Sequence, residues 1–317
     1  MQEVVINAAD GHSYTWIDIV GPSKEELQTL AKTFGLHQIM VRDCLDPVHL
    51  PKYESFDEWS FLIVRSFDSQ SEDSASSVRR LTRKVAIFVS PKVMLTIHRT
   101  DQTYLKDLRD YWRNKAAAGA AGSVFHPLNH LLQLSVRSFE PAIDKCRADL
   151  EKLEAKTFLH TKRPSLEGEN AYRLIRKTSV IKRIMRMTSD AVHKLDALPN
   201  HDYLYFKDVE EDAESQFMWA GNLVENGNRI IQLQLALVGQ FTNEASRRTN
   251  ETMRLLTVLS VFFMPLNLVT GLFGMNFDAM PAVKNPIGFW MACGFMLLSS
   301  LMVLLWFHQR GWLRPDD

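Results

Sequence analysis

The sequence predicts an α+β membrane protein: an N-terminal cytosolic α/β domain, long coiled-coil and stalk helices, and two C-terminal transmembrane helices. Three observations lead to this prediction. Two long apolar runs without charged residues stand close to the C-terminus. Residues 1–122 alternate between helical and strand patterns, whereas the middle of the chain repeats apolar residues at helical spacing over long stretches.

The overall composition excludes several functional classes. The 317 residues include 37 Lys and Arg and 37 Asp and Glu, a net charge of zero, so no nucleic-acid partner is expected. The three cysteines lie far apart, which predicts neither a disulfide framework nor a paired-cysteine metal site. The sequence contains no nucleophile elbow, phosphate-binding loop or zinc-protease motif, so we expect neither an enzyme nor a bound cofactor.

Residues 1–122 have the pattern of a mixed α/β domain. Ser23 and Glu26 are spaced as a capping box that opens a helix, and Gly35 suits the end of that helix. The elements expected after it are a helix at 38–45, strands at 58–67, 82–90 and 93–98, and an alanine- and glycine-rich linker at 115–122.

Residues 123–200 are expected to form an antiparallel pair of coiled-coil-like helices. The first has an apolar seam at alternating spacings of four and three residues: Leu132, Val136, Phe139, Ile143, Cys146, Leu150 and Leu153. Residues 162–164 break this pattern, and a second helix is expected at 166–198. The stretch 201–273 has no proline before Pro265, which predicts one stalk helix of about 70 residues that enters the membrane and packs against copies of itself.

Two runs are long enough to cross a bilayer as helices. Residues 255–273 and 287–307 contain 19 and 21 residues without a charge, and about 20 residues span the hydrocarbon core. Arginines stand before the first run and after the second: Arg247, Arg248, Arg254, Arg310 and Arg314. The connector 274–286 has only Asp278 and Lys284 as charged residues. This distribution predicts that both termini are cytoplasmic and that the connector is extracytoplasmic.

One face of the first span differs from the others because it mixes small and polar residues with Met and Leu. Eight residues recur at helical spacing on this face: Asn250, Met253, Leu256, Thr257, Ser260, Met264, Asn267 and Gly271. A polar Asn267 inside a span is costly unless its amide finds partners or water. The face therefore either lines a pore, which we favour, or joins neighbouring helices.

The first span ends in Gly274-Met275-Asn276, which a short loop and the last span follow. This triplet, after Met264-Pro265 inside the helix, resembles the mark of the CorA family of Mg2+ transport proteins at the outer end of their first span. The resemblance continues in five N-terminal segments: Trp16-Ile17-Asp18, Gly21-Pro22, Phe34-Gly35-Leu36-His37, Asp43-Cys44-Leu45-Asp46-Pro47 and Pro51-Lys52. It therefore extends over most of the chain.

The resemblance implies a homopentamer in the plasma (inner) membrane, whose partners are copies of itself, the bilayer and divalent cations. It implies passage of Mg2+, and also of Co2+ or Ni2+, down the electrochemical gradient. Gly274, Met275 and Asn276 from each subunit would form the selectivity filter, with Met253 and Leu256 as an apolar constriction at the cytoplasmic mouth. Because Mg2+ sheds water reluctantly, neutral carbonyl and amide oxygens would select the hydrated ion without holding it too tightly.

Five acids cluster on the cytosolic part of the stalk helix: Asp208, Glu210, Glu211, Asp212 and Glu214. Their ordinary interpretation is a solvated charged face. The resemblance implies another, in which some of them share a regulatory Mg2+ with carboxylates of the neighbouring subunit. Mg2+ would then be both the transported ion and a regulatory one.

Two departures from the family pattern leave other functions open. Asp278 is the only acid of the outer loop, where Lys284 follows it, and the cytosolic tail 308–317 is less basic than is common in relatives. A Zn2+ transporter of the same superfamily is therefore one alternative. A membrane-anchored sensor or scaffold is another, although an anchor has no need of Asn267 or of the triplet 274–276.

Overall fold

The computed structural model describes residues 2–7, 13–118, 122–159, 168–197, 203–275 and 286–312. The chain divides into two compact units, Met1–Leu235 and Ala236–Asp317. The predicted fold class is confirmed, because an α/β unit is followed by one very long helix and a final apolar helix.

The first unit is built on a six-stranded sheet with the strand order β1-β2-β6-β5-β4-β3. The strands are β1 (Gln2–Asn7), β2 (Ser13–Val20), β3 (Lys52–Phe56), β4 (Trp59–Phe67), β5 (Thr82–Val89) and β6 (Val93–His98). Strands β2 and β6 pair in parallel, and all other neighbours pair antiparallel.

Helices of the first unit cover both faces of this sheet. The helices of the described residues are α1 (Lys24–Phe34), α2 (Gln38–Leu45), α3 (Val78–Leu81), α4 (Thr103–Ala117), α5 (Phe125–Arg137), α6 (Glu140–Leu159), α7 (Gly168–His193), α8 (Tyr203–Phe273) and α9 (Pro286–Gln309). Helix α9 and the C-terminal part of α8 belong to the second unit. Phe61 and Ile63 of β4 belong to the core under α1 and α2, whereas Leu62 and Val64 belong to the core under α4 to α8. This alternation follows from the two-residue period of a strand.

The first helix begins and ends as the sequence predicts. The Ser23 hydroxyl accepts a hydrogen bond from the Glu26 amide at 3.1 Å, and the Glu26 carboxylate accepts one from the Ser23 amide at 2.7 Å. Gly35 ends the helix in the left-handed region, at φ 64°. The capping box and the glycine cap are therefore confirmed.

The three predicted strands are confirmed as β4, β5 and β6, but the sequence did not predict β1, β2 and β3. Strand β3 lies at the edge of the sheet with its last two residues exposed, so it lacks the apolar run by which the central strands are recognised. The predicted linker at 115–122 is wrong in part. Helix α4 continues to Ala117 because alanine is a strong helix former, and 119–121 lie outside the described residues.

The apolar seam predicted for one helix is buried, but two helices share it. All seven seam residues are at most 7% exposed. Ser138 and Phe139 separate α5 from α6, and the Ser138 hydroxyl donates to the Ser135 carbonyl at 2.6 Å and accepts from the Phe67 amide at 2.8 Å. Pro141 lacks an amide hydrogen, so it suits the first turn of a new helix better than the interior of a continuous one.

A buried charge cluster lies between the sheet and α4. The Asp18 carboxylate accepts hydrogen bonds from the Thr96 hydroxyl, from the Arg109 guanidinium and from His98 Nε2, the last at 3.0 Å. His98 Nδ1 lies 2.7 Å from the Thr100 carbonyl, so both ring nitrogens face acceptors and the imidazolium is the form that satisfies them. Burial lowers the pKa of His98, but the hydrogen bond and charge of Asp18 outweigh burial and raise this pKa.

His98→Gln is expected to destabilise the protein by about 3 kcal/mol, because buried Asp18 would lose a charged partner. Since the pKa of His98 is raised, its contribution is full below about pH 6.5 and is lost as the pH rises through the folded pKa. Thermal unfolding of the full chain in detergent checks this: the melting temperature should fall with rising pH in the wild type and less so in the variant. His308→Gln, at an exposed histidine near the end of α9, is the control. Identical profiles for wild type and His98→Gln would contradict the assignment.

The second unit contains the C-terminal part of α8 and the helix α9. The partly covered positions of α8 recur at helical spacing: Arg254, Val258, Phe262, Pro265, Leu266 and Val269. Those of α9 do so too: Gly288, Ala292, Cys293, Met296, Ser299, Ser300, Val303 and Phe307. These two stripes are the faces through which the helices pack. Pro265 lies inside α8 without ending it, as membrane helices tolerate.

Candidate functional site

Two helices are long and apolar enough to cross a membrane. They are Tyr205–Phe273 and Ile287–Gln309, and the most apolar window of each has a mean hydropathy of 2.0. Only 6% and 11% of these windows is buried in the chain, unlike the core helices of a soluble protein. Trp290 and Leu297, for example, are 74% and 72% exposed. Apolar surface of this extent requires lipid or further protein to cover it.

The face of α8 that the sequence predicts to line a pore is not covered by α9. All eight of its residues are exposed, Met264 at 69%, whereas Val269 on the packing face is 9% exposed. With about 100° between successive residues, the predicted face lies roughly opposite the packing face around the helix axis. It is therefore free to meet other copies of the chain or water, and its pore-lining role stays a prediction.

The polar groups of this face are neutral oxygens, and the face has no imidazole or thiolate. The Thr257 hydroxyl donates to the Met253 carbonyl at 2.8 Å, so its oxygen still has lone pairs to offer. Asn250, Ser260 and Asn267 add amide and hydroxyl oxygens, and residues 250–275 contain no His or Cys. Oxygen ligands and water suit hard cations such as Mg2+, whereas imidazole and thiolate favour Zn2+.

The described part of the triplet shows how α8 ends. The Gly274 amide donates to the Thr270 carbonyl at 2.9 Å, and the Met275 amide donates to the Leu272 carbonyl at 3.4 Å. A Cβ at Gly274 would lie 3.1 Å from the Thr270 carbonyl, so glycine permits this close backbone approach. Three residues with predicted roles lie outside the described residues: Asn276, Asp278 and Lys284.

A contact that the sequence did not predict joins the start of the first span to the end of the second. Arg254 Nε donates to the Trp312 carbonyl, and its Nη2 donates to the Gly311 carbonyl, both at 2.9 Å. These carbonyls follow the last turn of α9, where unpaired carbonyl groups attract a cation. Arg254 follows Met253, so it ties the end of α9 to the predicted constriction. In the sequence, this arginine is accounted for as one of the charges that predict the orientation of the spans, and no pattern indicates its contact with the end of α9.

The acidic segment of α8 falls into two groups. The Glu210 carboxylate lies 3.0 Å from His193 Nδ1, and the Asp212 carboxylate lies 3.3 Å from Arg137 Nε. The remaining three acids are exposed: Asp208, Glu211 and Glu214. Of these, Glu211 lies 3.8 Å from Lys207, one turn earlier on α8. In the part of the chain that the structure describes, no three His, Cys, Asp or Glu side chains are grouped to hold a metal ion. A shared Mg2+ site would thus need carboxylates from a neighbouring copy, and it stays a prediction.

Comparison with known proteins gives a consistent result along the chain. The family model described as "CorA-like Mg2+ transporter protein" matches residues 11–309. The chain is 21% identical to the cobalt/magnesium transport protein CorA of Thermotoga maritima, over 98% of this chain and 87% of the relative. It is 23% identical to the putative metal ion transporter YfjQ of Bacillus subtilis, over 95% of this chain and 90% of the relative. The solved CorA magnesium transporter of Methanocaldococcus jannaschii matches the fold with a TM-score of 0.58, at 20% identity over 99% of both chains.

Proposed function

Because the chain belongs to the family of CorA-like Mg2+ transporter proteins, we propose that it conducts Mg2+ across a membrane as a homo-oligomer, most simply a pentamer. The observation that supports this best is the uncovered face of α8, which combines neutral oxygens with Met and Leu and ends at Gly274. A helix that served only as an anchor would have no use for Asn267 on an exposed face inside a span.

In the proposed pathway, copies of α8 surround a water-filled pore. At the outer end, Gly274 carbonyls and Asn276 amides accept hydrogen bonds from the waters of a hydrated ion. Asn267 and Thr257 continue this lining toward the cytoplasm, where Met253 and Leu256 narrow the pore and can stop ions by excluding water. The membrane potential contributes about 4.6 kcal/mol per 100 mV to a doubly charged ion, so inward movement needs no chemical coupling.

The proposed pathway also predicts how Co2+, Ni2+ and Zn2+ compare with Mg2+. Co2+ and Ni2+ are hydrated divalent cations close to Mg2+ in size, and a filter that contacts the hydration shell distinguishes them poorly. Zn2+ remains the second candidate because the outer loop has Lys284 and a single acid. The proposed pore lining has no His or Cys, which favours Mg2+ over Zn2+. We place the protein in the plasma membrane, and the flanking arginines favour an orientation with both termini cytoplasmic.

Flux into liposomes tests the proposed function. Purified protein in liposomes that contain a Mg2+-sensitive dye is expected to admit Mg2+ when a K+ gradient makes the interior negative, and to admit little when the gradient is reversed. Protein-free liposomes are the control, and a Zn2+-sensitive dye measures the competing ion. Influx of Zn2+ without Mg2+ would favour the alternative transporter, and no influx of either ion would favour an anchor.

A further inference from the structure

A cationic groove lies between helices α6 and α7 of the first unit. It has a volume of about 530 Å3, which is the size of many small-molecule sites. Five cations line it, three from α6 and two from α7: Lys145, Lys152, Lys156, Arg173 and Lys177. Two carboxylates share the groove, those of Asp73 and Asp149, so positive charge is in excess.

Lys177 brings a cation without a paired carboxylate to the groove. The residue as a whole is 8% exposed, and its side chain has no hydrogen bond or ion pair with any residue that the structure describes. Its ammonium nitrogen lies 5.7 Å from the centroid of the Phe67 ring, and its charge acts on the Asp73 carboxylate. A cation in this position is available to an anion that enters the groove from solution.

Asp73 shows that this part of the groove accepts an anion. Its carboxylate forms an ion pair with Lys145, and the side chain is 79% exposed. The hydrogen bond and charge of Lys145, together with the charge of Lys177, lower the pKa of Asp73. Exposed ion pairs of this kind contribute little to stability, so a stronger anion from solution can displace the carboxylate.

Lys152 and Arg173 also pair with exposed carboxylates of their own helices. Lys152 lies 3.3 Å from Asp149, three residues earlier on α6, and Arg173 pairs with Glu169 on α7. Lysine ammonium groups bind phosphate as point charges, and arginine binds it through two parallel hydrogen bonds. Cations spread along both helices suit a chain of phosphates better than one phosphate.

We propose that this groove binds a nucleoside di- or triphosphate. The phosphate chain would lie along the lysines of α6 and reach Lys177 in place of the Asp73 carboxylate. Leu153 and Leu174 from the facing helices line the same groove and offer an apolar surface on which the base can pack. The proposal does not rest on the proposed transport function.

Calorimetric titration of the full-length protein in detergent with ATP, in buffer containing a chelator, tests the proposal. We expect saturable binding that Lys177→Met weakens by at least about tenfold and that Asp73→Asn strengthens, because the competing carboxylate is removed. Lys152→Gln, at a side chain 71% exposed, should weaken binding without disturbing the fold. Arg183→Gln, an exposed charge on α7 outside the groove, is the matched control and should change nothing. Added Mg2+ should weaken ATP binding, because the complex of ATP with Mg2+ carries less negative charge than free ATP.

Three results would overturn the proposal. The first is no binding of ATP or ADP without Mg2+. The second is unchanged ATP binding by both Lys177→Met and Lys152→Gln, with melting temperatures that show both variants folded. The third is equal affinity for pyrophosphate and ATP, because the nucleoside would then contribute nothing at Leu153 and Leu174.

Discussion

Asn276→Ala is expected to abolish Mg2+ flux while the protein still assembles. Asn276 ends the triplet 274–276, which the proposed orientation places at the outer end of the first span, and its amide oxygen would accept a hydrogen bond from a water of the hydrated ion. A hydrogen bond to a charged group contributes about 1.5–3 kcal/mol, and about 1.4 kcal/mol corresponds to a factor of ten. Because every subunit loses its amide at once, we expect flux to fall by at least about a hundredfold.

Asn285→Ala is the matched control for this experiment. It removes an identical side chain from the same connector, 274–286, but outside the triplet, and should leave flux close to the wild-type rate. Light scattering in detergent should give both variants the mass of the wild type, expected near five times 36.4 kDa. Wild-type flux through an assembled Asn276→Ala protein would refute the role of this residue in selection.

The features that the sequence predicts well are those that depend on residues close together in the sequence. Ser23, Glu26 and Gly35 lie within one helix and its ends, so their spacing was enough to predict both caps. The stalk helix and the two spans follow from long unbroken patterns. The face that contains Asn267 was predicted for the same reason, because helical period alone assigns residues to one side of a helix.

The features that the sequence does not predict depend on distant residues. Asp18, His98 and Arg109 meet only after β2, β6 and α4 pack, at separations of 80 and 91 positions from Asp18. The cationic groove likewise needs Asp73 to approach Lys145, 72 positions away. Local periodicity contains no information on such contacts, because each residue fits its own helix or strand equally well without them.

The sequence also does not show which acids of the segment 208–214 pair within their own chain, because all five lie on one helix with no pattern that distinguishes them. In the fold, the carboxylates of Glu210 and Asp212 lie beside His193 and Arg137 of the same chain. The other three acids are exposed, Glu211 beside Lys207 of its own helix, and they are the ones that can meet a neighbouring copy: Asp208, Glu211 and Glu214. If Mg2+ joins subunits through this segment, these three should hold it.

Neutralising the three exposed acids is expected to abolish inhibition of flux by internal Mg2+. Brought together in an oligomer, their carboxylates repel one another, and bound Mg2+ removes that repulsion and ties neighbouring stalks together. A ligand that binds the closed state more tightly shifts the population toward it, so loss of Mg2+ would let the stalks separate and widen the constriction at Met253 and Leu256. The variant Asp208→Asn/Glu211→Gln/Glu214→Gln should therefore conduct at internal Mg2+ concentrations that close the wild type.

The double variant Glu210→Gln/Asp212→Asn tests whether loss of Mg2+ inhibition comes from loss of a metal site or only from a lower negative charge on α8. It alters the same turns of α8, but at acids already engaged with His193 and Arg137, so it should keep Mg2+ inhibition and lose some stability. Limited proteolysis with and without millimolar Mg2+ gives a second measurement: Mg2+ should protect the stalk of the wild type and the double variant, but not of the triple variant. Unchanged protection in the triple variant would exclude these carboxylates as the sensor and direct the search to Glu72 and Asp73, because two neighbouring exposed acids there could meet Mg2+ in the same way.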